Sequence, residues 1–225
     1  MESYTFQKCT LKKLDRWFGL NRTFASQTLD QWLQTEVDLS ELDRSMLQHL
    51  QGMLLKNAEA WNEQELALSC IGPLFSLVDF NAVYRFNLFS QRSIEAVLTG
   101  VHNDIKLSGE PDGIVATGYW EPEIPMFAFS EYKRLLDPNG DPVGQCLAAM
   151  LVGQELNEKP QPLYGCYVVG NSWRFLVLEE KGYTISQDYL ATKDDIFDIL
   201  RILKALKQII MEMTANKEES GEPSL

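Results

Sequence analysis

The sequence predicts an α/β fold: a mixed β-sheet flanked by helices, in the order helix, three or four strands, helix, two strands and helix, behind an N-terminal helical extension. Three observations carry this. Apolar residues recur at helical spacing up to about residue 80; the period then shortens to strand-like runs broken by Gly, Pro and Asn; and a helical run separates these from a later, wholly apolar strand. Antiparallel early strands and a crossover helix into that later strand give a sheet of mixed direction between helices.

Residues 1–61 read as helical. "TLKKLDRWFGL" places Leu11, Leu14, Trp17 and Phe18 on one side, "SQTLDQWL" repeats the pattern briefly, and a longer helix from Ser40 carries Leu42, Met46, Leu47, Leu50, Met53, Leu54 and Trp61. No pattern here bears chemistry, so the segment is expected to be a cap or a partner surface. The α/β domain is expected over 62–214, and the polar tail 215–225 is expected to be disordered.

The domain should open with a helix over "NEQELALSCIGPLFSLVDF". Asn62 is a good N-cap and Glu65 takes the capping-box position three residues on. The apolar stripe of Ala67, Cys70, Ile71, Leu74, Phe75 and Val78, stepped back one turn, ends on Glu63. Pro73 should bend this helix. "RSIEAVLTGV", "NDIKLSG", "PDGIVATG" and "MFAFSEYK" then read as strands, and "GQCLAAMLVGQELN" as a helix. "LYGCYVVG" has the unbroken apolarity of a strand buried on both faces. "NSWRFLVLEEKGYTIS" reads as a hairpin, and a closing helix starts at Thr192 or Asp194.

Composition bounds the chemistry. At 225 residues, 45% hydrophobic and 23% charged, the chain can bury a proper core. No apolar run reaches the ~20 residues of a membrane span, and the first residues lack the basic region and apolar core of a signal peptide. A cytoplasmic protein with no membrane partner is expected. Cys9, Cys70, Cys146 and Cys166 are widely spaced and read as buried free thiols. With only His49 and His102 available, a zinc site is disfavoured. Any metal would be held by carboxylate oxygens, which suits magnesium, manganese or calcium. The net charge of −12 argues against holding nucleic acid by an overall field.

One stretch stands out, "PDGIVATGYWEPEIPMFAFSEYKR". Side chains alternate along a strand, so Phe127, Phe129, Glu131 and Lys133 should share a face that begins as core and ends in opposite charges. Glu131 there could hold a divalent cation, and Lys133 could orient an attacking water. Asp112, opening the preceding strand, would supply a second carboxylate. Glu63, if its helix packs on this end of the sheet, would be a third acid, and Gln145 could touch the water or a phosphate. A second Glu-x-Lys triplet, Glu179 to Lys181, falls at a turn and reads as solvated charge. A surface ion pair is the plain alternative for the first, and such pairs contribute little.

This set, Asp112 with Glu131-x-Lys133, preceded by Glu63 and followed by Gln145, resembles the PD-(D/E)XK nuclease superfamily. More closely, "PMFAFSEYKR", "DPVGQCLAAMLVGQELN" and "PLYGCYVVGNSWRFLVLE" look like small uncharacterised bacterial proteins of restriction endonuclease type. The resemblance implies a restriction endonuclease-like fold, with its α-β-β-β-α-β core over residues 62–170, and cleavage of nucleic acid, DNA ahead of RNA, with Mg2+ or Mn2+ as cofactor. It implies Asp112 and Glu131 as ligands and Lys133 as the water-orienting residue. The chain departs from exonuclease-like branches, which carry Tyr where Ala149 stands here. A catalytically silent binding or scaffold protein on the same fold is the alternative.

Arg134 and Arg174 are the candidates for a substrate phosphate. Trp173 reads as core, His102 as a lone histidine, and Arg201, Lys204 and Lys207 as a solubilising outer face. The last helix could form a homodimer seam, although packing on the sheet accounts for its apolar face.

Overall fold

The computed structural model of the chain describes residues 1–82, 85–136, 138–157 and 160–219, with side chains described through residue 215. It is mixed α/β. The large sheet has the order β2(Asn21–Thr23), β11(Gly182–Ile185), β10(Ser172–Glu179), β9(Leu163–Val169), β8(Glu123–Lys133), β7(Gly113–Thr117), β4(Phe86–Phe89), β3(Asn81–Ala82), with β12(Tyr189–Leu190) also on β10. A smaller sheet has the order β1(Glu2–Thr5), β6(Ile105–Gly109), β5(Ile94–Leu98).

The sheet is mixed, as expected: β8 pairs antiparallel with β7 and parallel with β9. The strands of the first half are distributed differently from the sequence reading. "SIEAVL" and "DIKLSG" form a hairpin in the small sheet, and the third strand beside β7 is β4. Strand β4 left little trace in the sequence because Phe86 and Phe89 are both buried, on opposite faces, which breaks simple alternation.

The expectation of an all-helical residues 1–61 is corrected. Besides α1(Leu11–Phe18), α2(Gln27–Gln34) and α3(Glu41–Asn57), the segment supplies β1, paired with β6, and β2, paired with β11. Both strands are short and largely exposed, so neither shows an alternating pattern. Arg201, Lys204 and Lys207 do more than solubilise α7(Asp195–Glu219). Arg201 donates to the carbonyls of Leu33 and Thr35, Lys204 pairs with buried Asp43 at 2.7 Å, and Lys207 reaches Asp79 at 3.5 Å. Helix α7 extends beyond the expected domain end at 214, and residues 220–225 of the expected tail lie outside the described residues. No helix among the described residues is long and apolar enough to cross a membrane.

Two cores lie on the two faces of the large sheet. One joins it to α2, α3, α7 and the helical stretch α4(Glu63–Leu66), a π turn Ala67–Ile71 and α5(Gly72–Val78). The other joins it to α1, α6(Pro142–Leu156) and the small sheet. Helix α6 lies between β8–β9 and β5–β6, so Gly144 to Gly153 are all buried and the helix is apolar on every side. The bend expected at Pro73 takes the form of the π turn, which widens the helix just before the residue that lacks an N–H and would clash with the preceding turn. All four cysteines are buried and free, as expected, and Trp173 is core.

Helix α6 can approach β8 because Gly153 has no side chain. A Cβ there would meet the Phe129 ring at 2.3 Å, and Phe129 is buried two residues before Glu131. Gly→Ala within a helix ordinarily stabilises by roughly 0.5–1 kcal/mol. Gly153→Ala is expected to reverse that sign and destabilise by about 1–3 kcal/mol through overpacking, read as a lower urea midpoint. A raised midpoint would show that the helix and strand are not in close contact.

Candidate functional site

Strand β8 carries eight consecutive buried residues, from Met126 to Lys133, because it lies mid-sheet between two cores. The expected sharing of one face holds for Phe129, Glu131 and Lys133 but not for Phe127. A β-bulge shifts the register against β7 at Val115 to Thr117, so Val115 faces Ala128 while Ala116 faces Met126. Phe127 thereby packs with Ala128 in the core on the opposite face. The extra residue re-aims the strand before its charged end.

At that end Glu131 is 7% and Lys133 8% exposed. The Lys133 Nζ donates to Glu131 Oε1 at 2.6 Å and to the Tyr132 carbonyl at 3.0 Å. It also lies 3.7 Å from Glu63 Oε2. Glu63 is in place because Asn62 and Glu65 close a reciprocal capping box, which fixes where α4 begins. Asp112 comes from the residue before β7, and its Oδ2 accepts from the Tyr132 N–H at 2.7 Å. Since Gly113 pairs with Ser130, antiparallel register brings Asp112 beside the Glu131–Tyr132 peptide. The structure therefore gathers Asp112, Glu131, Lys133 and Glu63.

Gln145 is not part of that gathering. It is buried in the first turn of α6 beneath Gly140, where a Cβ would lie 2.5 Å from its Nε2. Among the described residues no hydrogen bond or ion pair links it to the carboxylates. Long helical side chains lean toward the N-terminus of their helix, which carries this one into the loop before α6. Arg174 is also committed elsewhere. Its Nε and a terminal nitrogen donate to the two oxygens of Asp188, and Nη1 reaches the Tyr167 hydroxyl at 3.4 Å. Arg134 follows Lys133 directly and is half-buried. His102 is exposed in the turn between β5 and β6.

Two contributors were not found from sequence. Gln91, in the link from β4 to β5 with φ of 51°, places its side chain beside the Asp112 carboxyl, where it acts to lower the Asp112 pKa. The neighbouring Ser90 hydroxyl donates to the Asp112 carbonyl at 3.0 Å. Only the polar "SQRS" after an apolar run hinted at a loop there, and nothing in it pointed to Asp112. The second is the Tyr132 N–H, whose role depends on register alone.

The electrostatics follow from burial and crowding. Burial pushes the Glu131 carboxyl up to about 7, with the negative charges of Asp112 and Glu63 adding to it and the Lys133 bond opposing it. Burial likewise raises Asp112, against the opposing Tyr132 N–H and Lys133 charge. For Lys133 burial acts downward, but bonding to Glu131 and the surrounding acids outweigh it, so its pKa is raised and it remains an ammonium. Three carboxylates thus face one cation, an excess that a divalent ion would balance.

Oxygen donors of this kind suit magnesium or manganese. Among the described residues no group of three acidic, His or Cys side chains forms a ready coordination shell. Magnesium usually keeps several waters and is commonly held by one or two carboxylates, so Asp112 and Glu131 are of a type that could hold it, with Glu63 near Lys133 as a third acid. Comparison with protein-family models finds no match for this chain, and comparison with curated proteins finds none either.

Because Glu131 binds its proton more tightly folded than unfolded, its contribution to stability is full below about 4.3, its ordinary value. That contribution is lost as pH rises through about 7. Asp112→Asn keeps an acceptor for the Tyr132 N–H and removes one charge. The Glu131 pKa should then fall by roughly one pH unit, followed by carbon-13 NMR of the Glu131 carboxyl in metal-free protein. An unchanged value would mean that the two carboxyls do not interact.

Proposed function

We propose that this chain is a Mg2+- or Mn2+-dependent nuclease that hydrolyses phosphodiester bonds of nucleic acid, DNA ahead of RNA. One observation carries the reading. An Asp just ahead of one strand and a Glu-x-Lys from the next meet at a buried strand end, with a helix-borne Glu 3.7 Å from the Lys. The element order supports the finer fold assignment: the α4–α5 helix, β4, β7 and β8, helix α6 and parallel β9 follow the restriction endonuclease-like core, with β5–β6 inserted before β7.

A bound divalent ion supplies Lewis-acid activation of water and neutralisation of charge on the phosphoryl oxygens. The chain contributes the rest. Asp112 and Glu131 would hold the ion. Lys133 is a donor and not a base, since it stays protonated; it hydrogen-bonds the attacking water and faces the negative charge that builds on phosphorus. Its Nζ is pre-aimed by Glu131 and the Tyr132 carbonyl, so little reorganisation accompanies the reaction.

The test is a cleavage screen on plasmid, single-stranded DNA and RNA with Mn2+ or Mg2+, and again with chelator. Parent protein should cut, chelator should stop it, and Lys133→Ala should lose about 100-fold or more in rate while circular dichroism shows the fold retained. Undiminished cutting by a folded Lys133→Ala would remove Lys133 from the mechanism. A parent that cuts none of these would favour the silent binding protein.

A further inference from the structure

Beside Asp112 a groove of about 470 Å3 runs between the π turn with α5 on one side and β3, β4 and the start of β7 on the other. That volume lies within the ~300–1,000 Å3 of ordinary small-ligand sites. Asp112 and Tyr132 are among its lining residues, so the groove adjoins the candidate site at Asp112. A chain held at Asp112 has this groove as its neighbour.

The chemistry of the groove differs from that of the site. Among the described residues its charged lining is Asp79 and Asp112, with no lysine or arginine. Asp79 is itself turned toward Lys207, 3.5 Å away. Phosphates are therefore disfavoured inside the groove. Its walls are apolar and partly aromatic, from Phe75, Phe80 and Leu88, and a smaller cavity of about 20 Å3 shares the same three side chains. Leu68 also lines it and is 79% exposed. Hydrogen-bonding capacity comes from amides: Asn87, which donates to the Gly118 carbonyl at 2.6 Å, and exposed Asn81.

An apolar slot with amide groups and no cation suits a flat, uncharged, hydrogen-bonding ring, and it stands next to a site suited to a phosphate. We infer that the groove is a nucleobase subsite, and that the preferred substrate carries an unpaired nucleotide beside the scissile phosphate. This rests on the nuclease reading of the neighbouring carboxylates. A base paired within a duplex cannot enter such a groove without leaving its stack, so fully paired nucleic acid is the poorer ligand.

The test uses a short single-stranded DNA with one 2-aminopurine, in Ca2+ to retain the phosphate without turnover, and the matching full duplex. The single strand should bind at least ~10-fold more tightly than the duplex, with a change in 2-aminopurine emission as the base unstacks. Ser76→Leu narrows the groove from an exposed helical position, and Leu68→Ala trims its lining. Each should weaken single-strand binding several-fold while leaving duplex binding unchanged. Equal binding of the two nucleic acids, no binding of the single strand, or indifference to both variants would overturn the subsite. Groove-dependent binding without cleavage would sink the nuclease reading but keep the subsite; cleavage with indifferent variants would do the reverse.

Discussion

Two opposite charges, Glu131 and Lys133, lie buried side by side at the end of the central strand, and the elements around them keep both paired. Glu131 and Lys133 are each nearly inaccessible, and removing one member of such a pair commonly costs about 3–5 kcal/mol because the other is left unpaired. The fold compensates locally. The Tyr132 carbonyl takes a second bond from the ammonium, and the Tyr132 N–H is used by Asp112. A strand in the middle of the sheet can do this because its neighbours hold both edges rigid, and α6, seated against Phe129 through Gly153, keeps the strand from sliding.

The surplus of acid is harder to explain as stabilisation. One ion pair would satisfy Lys133, yet Asp112 and Glu63 are also brought to it, and they raise Glu131 further. Carboxyls with pKa values held above their ordinary range by burial and by each other are characteristic of functional sites, where a ligand supplies the missing charge. The same logic accommodates the net charge of −12. An acidic chain need not attract nucleic acid over its whole surface if a bound cation and one ammonium meet the phosphate, and an apolar groove meets the base.

Much of the site was legible because it depends on local patterns. The apolar run before Glu131 marked a buried strand, alternation placed Glu131 with Lys133, and the Asn62–Glu65 box with its apolar stripe pointed Glu63 toward the sheet. What escaped depends on distant register. Nothing in "MFAFSEYK" announces that a bulge sends Phe127 to the other core, and nothing in "SQRS" that Gln91 reaches Asp112. Gln145 shows the converse, a plausible residue at a plausible spacing whose side chain the helix directs into the preceding loop. The two N-terminal strands were invisible because each is short, exposed and defined only by its partner in a sheet.

Calorimetric titration of Mn2+ into the parent, Asp112→Asn and Glu131→Gln asks, with no assumption about substrate, whether Asp112 and Glu131 together hold a divalent ion. One site per chain is expected in the parent, and none in either variant. Binding that survives in either variant, or no binding in the parent even with a non-hydrolysable phosphodiester present, would rule out a shared ion between the two carboxylates.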